Sequence, residues 1–219
     1  MDETTTDQGR DPGGHAGRTN RLVFVCHANH CRSPMMELLL RDSLASAGPT
    51  AAPLVVTSAG TYAYPDVPAH PSVIQVLAER GVDASGWRSA TLDAATVRAA
   101  DLVVTAAAEQ RRDVVALAGP GAAAKTFTLL DLAAWLEAAP PPGEGPREGP
   151  GAAVNALLSR AADGRKRSGV AAHERDLPDP MGRSMRQFRL CRRRVEAALV
   201  PFVETLAGVS PGATRGRRG

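Results

Sequence analysis

Three cysteines in 219 residues are too few, and odd in number, for a disulfide scaffold. They point to a reducing compartment, so a cytoplasmic protein is expected. Aromatic residues make up only 4% of the chain, which leaves Ala, Val and Leu to fill a core. No apolar run approaches the roughly 18 residues of a membrane span. The opening MDETTTDQGRDPGGHAGRTN is polar and acid-rich and lacks the apolar stretch of a secretory signal. An excess of one charge is also missing: 26 Lys and Arg against 23 Asp and Glu leave a net +3, too small to argue for a nucleic acid partner. What remains is a chain of 43% hydrophobic and 22% charged residues, ordinary for a globular protein, with a length that suits one domain and some excess.

Residues 1–20 lack periodicity and large apolar side chains and read as a disordered tail, with order from Arg21. Leu22-Val23-Phe24-Val25 is apolar on both faces, as a buried parallel strand requires. It stops at Cys26, and Ser33-Pro34 opens a helical pattern, Ser as N-cap and Pro at the first helical position, closed by Gly48. The alternation repeats with strands at Leu54–Thr57, Asp101–Thr105 and Lys125–Leu129 and helices at Ser72–Arg80, Glu109–Ala118 and Leu130–Ala138. This order implies an α/β fold with helices on both faces of a parallel sheet and right-handed crossovers. Residues 139–175 begin with a Pro/Gly-rich stretch and read as a long mobile excursion inside the one domain. After Pro180-Met181-Gly182, Met185, Phe188, Val195, Leu199, Phe202 and Leu206 recur at helical spacing as the core face of a last helix. The end, SPGATRGRRG, is expected to fray.

The chemistry concentrates in Cys26-His27-Ala28-Asn29-His30-Cys31-Arg32-Ser33-Pro34. A cysteine ends a strand, five residues follow, and Arg-Ser-Pro starts a helix. Loop N–H groups can point inward as an anion nest, and the helix N-terminus adds its partial positive charge. Arg32 supplies a planar fork for two phosphate oxygens. That field favours the thiolate, which makes Cys26 a nucleophile placed for in-line attack on phosphorus. A proton donor for the leaving oxygen is then required. Asp179, pushed out of helical geometry by Pro180 and followed by the turn-permitting Gly182, is the first candidate, with Asp176 in reserve.

These motifs resemble the low-molecular-weight protein tyrosine phosphatases, whose signature is a C-x5-R-S-P loop after the first strand with an Asp-Pro loop far downstream. Ser58-Ala59-Gly60-Thr61, Ala78–Asp83 and Ala100–Thr105 are similar to family segments as well. The resemblance spans about residues 21–207, with the Pro/Gly-rich stretch as an insertion at about 139–175 and a C-terminal tail at 208–219. It implies a three-layer α/β/α fold with a central four-stranded parallel sheet. It also implies hydrolysis of phosphotyrosine or a similar phosphate monoester through a cysteinyl-phosphate, with no cofactor and no metal. By this resemblance Cys26 is the nucleophile, Arg32 the phosphate-binding arginine and Asp179 the general acid. Ser33 stabilises the thiolate, Asn29 holds the loop's strained backbone, and Cys31 can form a reversible disulfide with Cys26. His27, Ala28 and His30 complete the loop, and Tyr64 and Met181 are the expected pocket walls. The implied partner is a phosphorylated protein or small phosphate ester, met by a monomer, with no nucleic acid and no membrane.

The sequence also departs from the family pattern. Ala28 stands where glycine is usual, and a positive φ there would strain it by about 1 kcal/mol. Met181 replaces an aromatic. Trp87-Arg88-Ser89-Ala90 lacks the family's loop-supporting histidine, for which a loop histidine is a substitute candidate. Ala28, Trp87 and Met181 together keep a non-catalytic phosphate-binding protein open as an alternative. An arsenate reductase using Cys31 and Cys191 is a second alternative. A metal site at Cys26, His27, His30 and Cys31 is a third, opposed by the positive field of the helix and Arg32. The cluster Arg183, Arg186, Arg189, Arg192, Arg193 and Arg194 reads as a solvated helix face that could attract acidic partners, Cys191 as a packing residue, and Glu37 as a favourable charge in the helix's first turn.

Overall fold

A computed structural model describes residues 20–47, 54–143, 151–168 and 175–209. Four strands, β1 (Asn20–Cys26), β2 (Leu54–Gly60), β3 (Leu102–Thr105) and β4 (Thr126–Thr128), form one parallel sheet in the order β2-β1-β3-β4. Seven helices are described: α1 (Arg32–Ala47), α2 (Pro71–Ala78), α3 (Ala94–Ala99), α4 (Ala108–Ala118), α5 (Leu129–Ala138), α6 (Ala152–Ser168) and α7 (Met185–Ala207). A 3₁₀ turn, Pro120–Lys125, leads into β4. Among the described residues no helix is long and apolar enough to cross a membrane.

The period of two along β1 sorts the core into its layers. Leu22, Phe24 and Cys26 face a large cluster built with α1, α5, α6 and α7, including Met35, Leu39, Leu132, Phe188 and Phe202. Val23 and Val25 face a smaller cluster with Val97 of α3 and Val114 of α4. Parallel strands covered on both faces need apolar residues on both, and β1 supplies them. The chain steps from β1 to β2 on one side, then returns to β3 on the other. The strand order therefore reverses at β1, and the C-terminal edge of that strand is where such sheets open a crevice.

Three expectations change. Asn20, expected in the tail, is buried and begins β1, while Gly208 caps α7 in the left-handed conformation; residues 1–19 and 210–219 lie outside the described residues. The six-residue α3, capped by Asp93 Oδ1 on Thr96 N at 2.6 Å, was not anticipated. The excursion does pack over most of its described length: α6 buries Ala153, Val154, Leu157 and Ala161 against α5 and α7. At Gly164 a Cβ would lie 1.7 Å from the Trp135 carbonyl oxygen, so the helices touch backbone to backbone. Residues 144–150 and 169–174 lie outside the described residues.

Candidate active site

Cys26 ends β1, and α1 begins six residues later at Arg32. The intervening loop is pinned from outside by its carbonyls. Thr61 N donates to Cys26 O at 3.0 Å, Tyr62 N to His27 O at 2.9 Å and His70 N to His30 O at 3.0 Å. Carbonyls held outward turn the peptide N–H groups the other way. Among the described residues, the amides of His27 to Arg32 donate to no protein acceptor. This is the geometry of an anion nest at a helix N-terminus. The tight fit depends on Gly60, where a Cβ would lie 2.6 Å from His27 O and 2.7 Å from Asn29 N.

The left-handed residue of the loop is Asn29, at φ 51°, a conformation asparagine tolerates. Ala28 has no positive φ, so the strain expected of it does not arise. Asn29 is buried and is oriented without ambiguity. Its Oδ1 accepts from Ala90 N at 2.8 Å, and a backbone N–H can only donate. Its Nδ2 therefore donates to Ser33 Oγ at 2.8 Å and to Ser58 Oγ at 2.9 Å. Ser33 Oγ lies 3.0 Å from Cys26 Sγ; with Asn29 donating to its oxygen, its proton is free for the sulfur. Ser33 is thus inside α1 and is not its N-cap.

The network ends on a buried carboxylate. Ser58 Oγ donates to Glu37 Oε2 at 2.7 Å, Trp87 Nε1 donates to the same oxygen at 2.9 Å, and Arg41 Nη1 donates to Oε1 at 3.1 Å. Glu37 lies beyond the first turn of α1, where a favourable charge was expected; it is buried and accepts from three side chains. The loop support expected from a histidine comes instead from the Trp87 indole. His27 packs against Tyr62 with ring centroids 4.9 Å apart and planes tilted by 34°, and His30 contributes its carbonyl. Sequence reasoning missed Ser58, Glu37 and Trp87 as one system, because they come from three distant segments.

The acid loop arrives at the same edge. Leu177 is buried, its N–H donates to Ala106 O at 2.8 Å, and its carbonyl accepts from Arg32 Nη1 at 3.5 Å. Asp179 Oδ2 accepts from Arg32 Nη2 at 2.5 Å, and its Oδ1 accepts from Met181 N at 3.1 Å. Asp176, the reserve acid, points elsewhere: its Oδ1 accepts from Ala108 N at 2.8 Å and caps α4, whose own N-cap residue is an alanine. Met181 is 43% exposed on the loop, and Tyr64 extends into solvent at 83%; the tyrosine that touches the phosphate loop is Tyr62. Cys31 and Cys191 are buried, and burial pushes both thiols up to about 12. Among the described residues no three His, Cys, Asp or Glu side chains gather as a metal site.

A strand-end cysteine beside amides without protein acceptors, an arginine and an aspartate from a distant loop come together at one edge of the sheet, the arrangement expected of a cysteine-dependent phosphatase of α/β fold. The sequence pattern of the low molecular weight phosphotyrosine protein phosphatase family matches residues 21–139, and the chain belongs to that family. It is 37% identical over 95 residues to the probable low molecular weight protein-tyrosine-phosphatase EpsP of Ralstonia solanacearum, covering 43% of this chain and 61% of that one. The chain thus spans about three fifths of that relative's length. It is 33% identical over 118 residues to the low molecular weight protein-tyrosine-phosphatase Etp of Escherichia coli, covering 54% of this chain and 72% of that one. The solved structure of the YwlE arginine phosphatase from Geobacillus stearothermophilus superposes with a TM-score of 0.60 at 26% identity, over 85% of this chain and 92% of that one.

Proposed function

We propose that this chain hydrolyses phosphate monoesters through a cysteinyl-phosphate, with Cys26 as nucleophile, Arg32 as phosphate clamp and Asp179 as general acid and base. The observation that carries this reading is the set of amides from His27 to Arg32 with no protein acceptor, in the loop that follows a sulfur hydrogen-bonded to Ser33. The Cys26 thiolate attacks phosphorus in line with the ester oxygen. The S–P bond forms as the P–O bond breaks, and Asp179 gives its proton to the departing oxygen. Charge on the three equatorial oxygens is held by the amides and the Arg32 fork. Asp179, now a carboxylate, takes a proton from water as that water attacks phosphorus. The S–P bond breaks, inorganic phosphate leaves, and the thiolate returns.

On this reading the chain works in the cytoplasm as a monomer, without metal or cofactor, on phosphorylated proteins or small phosphate esters. Tyr62 against His27 supports aryl phosphates, phosphotyrosine first. A second reading is arginine phosphate, supported by the likeness to YwlE and by the exposed Met181, which leaves the acid loop without an aromatic clamp. An arsenate reductase is not favoured. The matching family is one of phosphatases, and Cys31 and Cys191, with their raised values, stay thiols at neutral pH.

The test is p-nitrophenyl phosphate turnover in EDTA. Cys26→Ser is expected to abolish it, and Asp179→Asn to lower kcat about 10²–10⁴-fold. Asp176→Asn, which can still accept from Ala108 N, is expected to leave kcat near wild type. Full activity of Cys26→Ser, or a larger loss at Asp176 than at Asp179, would reject the assignment. Phosphotyrosyl and phosphoarginyl peptides in parallel assays decide between the two substrate classes.

A further inference from the structure

The flank of α7 beside the acid loop carries more positive charge than the fold neutralises. Six arginines lie within residues 183–194, and that span holds no Asp or Glu. Two are engaged. Arg189 forks onto the carboxylate of Glu79, the C-cap of α2, at 2.8–3.1 Å, and the buried Arg192 holds Glu196 at 2.8 Å. Glu196 also receives Arg80, at 2.8 Å. Arg183, Arg186, Arg193 and Arg194 are exposed and form no ion pair among the described residues.

Helical spacing sorts the free arginines by direction. Arg186 and Arg193 are seven residues apart and share an outward line. Arg194 follows Gln187 by seven and lies on the line that borders the acid loop. There, a shallow surface depression is lined by Pro178, Asp179, Pro180, Gln187, Leu190 and Arg194. Asp179 itself lines this depression, so a chain leaving the phosphate cradle across the Asp-Pro loop meets Arg194 first, with Arg186 and Arg193 on the adjoining outward line of α7. From Arg186 to Arg194 the helix rises about 12 Å, the reach of about four extended residues. That scale fits a short peptide segment.

We propose that Arg186, Arg193 and Arg194, with Arg183 at the entrance, form a docking ridge for acidic residues that flank the phosphorylated residue of a protein substrate. The proposal rests on the phosphatase reading and adds to it a preference for sequence context. Clustered guanidinium groups raise the local concentration of such substrates and hold carboxylates by forked hydrogen bonds. Because the ridge is exposed, its effect is screened by salt.

The test uses fluorescent phosphotyrosyl peptides with Glu-rich or Gln-rich flanks, titrated onto the Cys26→Ala chain by anisotropy. The acidic peptide is expected to bind about tenfold tighter at low salt, with the difference gone at about 0.5 M NaCl. The triple variant Arg186→Gln, Arg193→Gln, Arg194→Gln in the same background is expected to bind both peptides alike. Circular dichroism of the triple variant confirms its fold, and single substitutions, each expected to remove part of the preference, replace it if it does not fold. Equal affinity for the two peptides overturns the proposal. So does a preference that survives the substitutions, or a ridge that binds an RNA oligomer or anionic vesicles while ignoring peptide flanks. Turnover of p-nitrophenyl phosphate by the unmodified chain is read separately. Its failure removes the phosphatase reading while a flank preference would still stand, and its success with equal affinities removes the ridge alone.

Discussion

At the scale of single residues, the site is organised by the direction of its protons. Ala90 N fixes the Asn29 amide, and that amide fixes which way the Ser33 and Ser58 hydroxyls donate. Ser58 gives its proton to Glu37, and Ser33 has its proton left for Cys26. Glu37 is the sink at the end of the chain, and it is buried, so each of its donors counts. Trp87→Phe keeps most of the bulk and removes one N–H from that carboxylate. We expect it to lower stability by about 1.5–3 kcal/mol, the range for a hydrogen bond to a charged group, and to reduce kcat more than it raises KM. Trp87→His, which restores a donor, is expected to recover part of both losses. Urea unfolding and steady-state kinetics check this, and a Phe variant equal to wild type in both would show that Arg41 and Ser58 suffice. Cys26, Arg32, Ser33 and Asp179 were legible in the sequence because their chemistry sits in two short motifs. Glu37 was not, since a glutamate on a helix looks the same whether it faces water or an indole fifty residues away.

At the scale of elements, α6 is the departure from expectation, and the reason lies in its composition. Its buried face is Ala153, Val154, Leu157, Ala161 and Gly164, mostly small residues whose hydrophobic signal is weak beside a Pro/Gly-rich neighbour. Small size is what the packing needs, because the α6 backbone passes against the Trp135 carbonyl. Arg165 then lies over the Trp135 ring, 5.2 Å from its centroid. Two effects oppose each other at Gly164. Alanine in a helix interior is favoured over glycine by about 1 kcal/mol, whereas forcing a methyl into backbone contact costs about 1–3 kcal/mol or more. With the added Cβ at 1.7 Å from an oxygen, the second effect wins. Gly164→Ala is expected to lower Tm, by about 2–4 °C for each kcal/mol lost in a chain of this size. A raised Tm would mean that α6 does not sit on α5 as described. The strands and the helices α1, α2, α4, α5 and α7 were legible within a few residues because their periodicity is carried by Val, Leu, Ile and Phe. The acid loop was legible as a motif, but its anchoring was not: Leu177 in the core and Asp176 on α4 are tertiary contacts across about 70 residues of sequence.

At the scale of the whole molecule, the sheet sets both the site and a pH limit on the fold. The large core cluster reaches from Phe202 and Leu206 on α7 to Cys26 and Cys31 at the phosphate loop, so the site is built on the main core and is not carried by a surface appendage. One consequence is that Cys31 and Cys191 are buried within that core. Burial is the largest cause of their raised values, and the negative charge of Asp179 adds to it, while Arg32 works in the opposite direction. In the unfolded chain both thiols ionise near 9.0, whereas in the folded protein they hold their protons to about 12. Below pH 9 both states are protonated there and these thiols add no pH dependence. Between 9 and 12 the unfolded state has released protons that the native state retains, so stability falls as pH rises. Each thiol contributes a slope of about 1.4 kcal/mol per pH unit, or about 2.7 for the two together. Other groups titrate in this window too, so the informative quantity is the difference between the wild type and Cys191→Ala, both kept reduced. We expect that variant to lose stability at pH 8 through its missing sulfur, then to lose about 1.4 kcal/mol less per pH unit than the wild type above pH 9. The two urea-unfolding curves of stability against pH therefore converge as pH rises. Parallel curves would mean that Cys191 ionises as readily in the folded protein as in the unfolded chain, and that the core does not close around it.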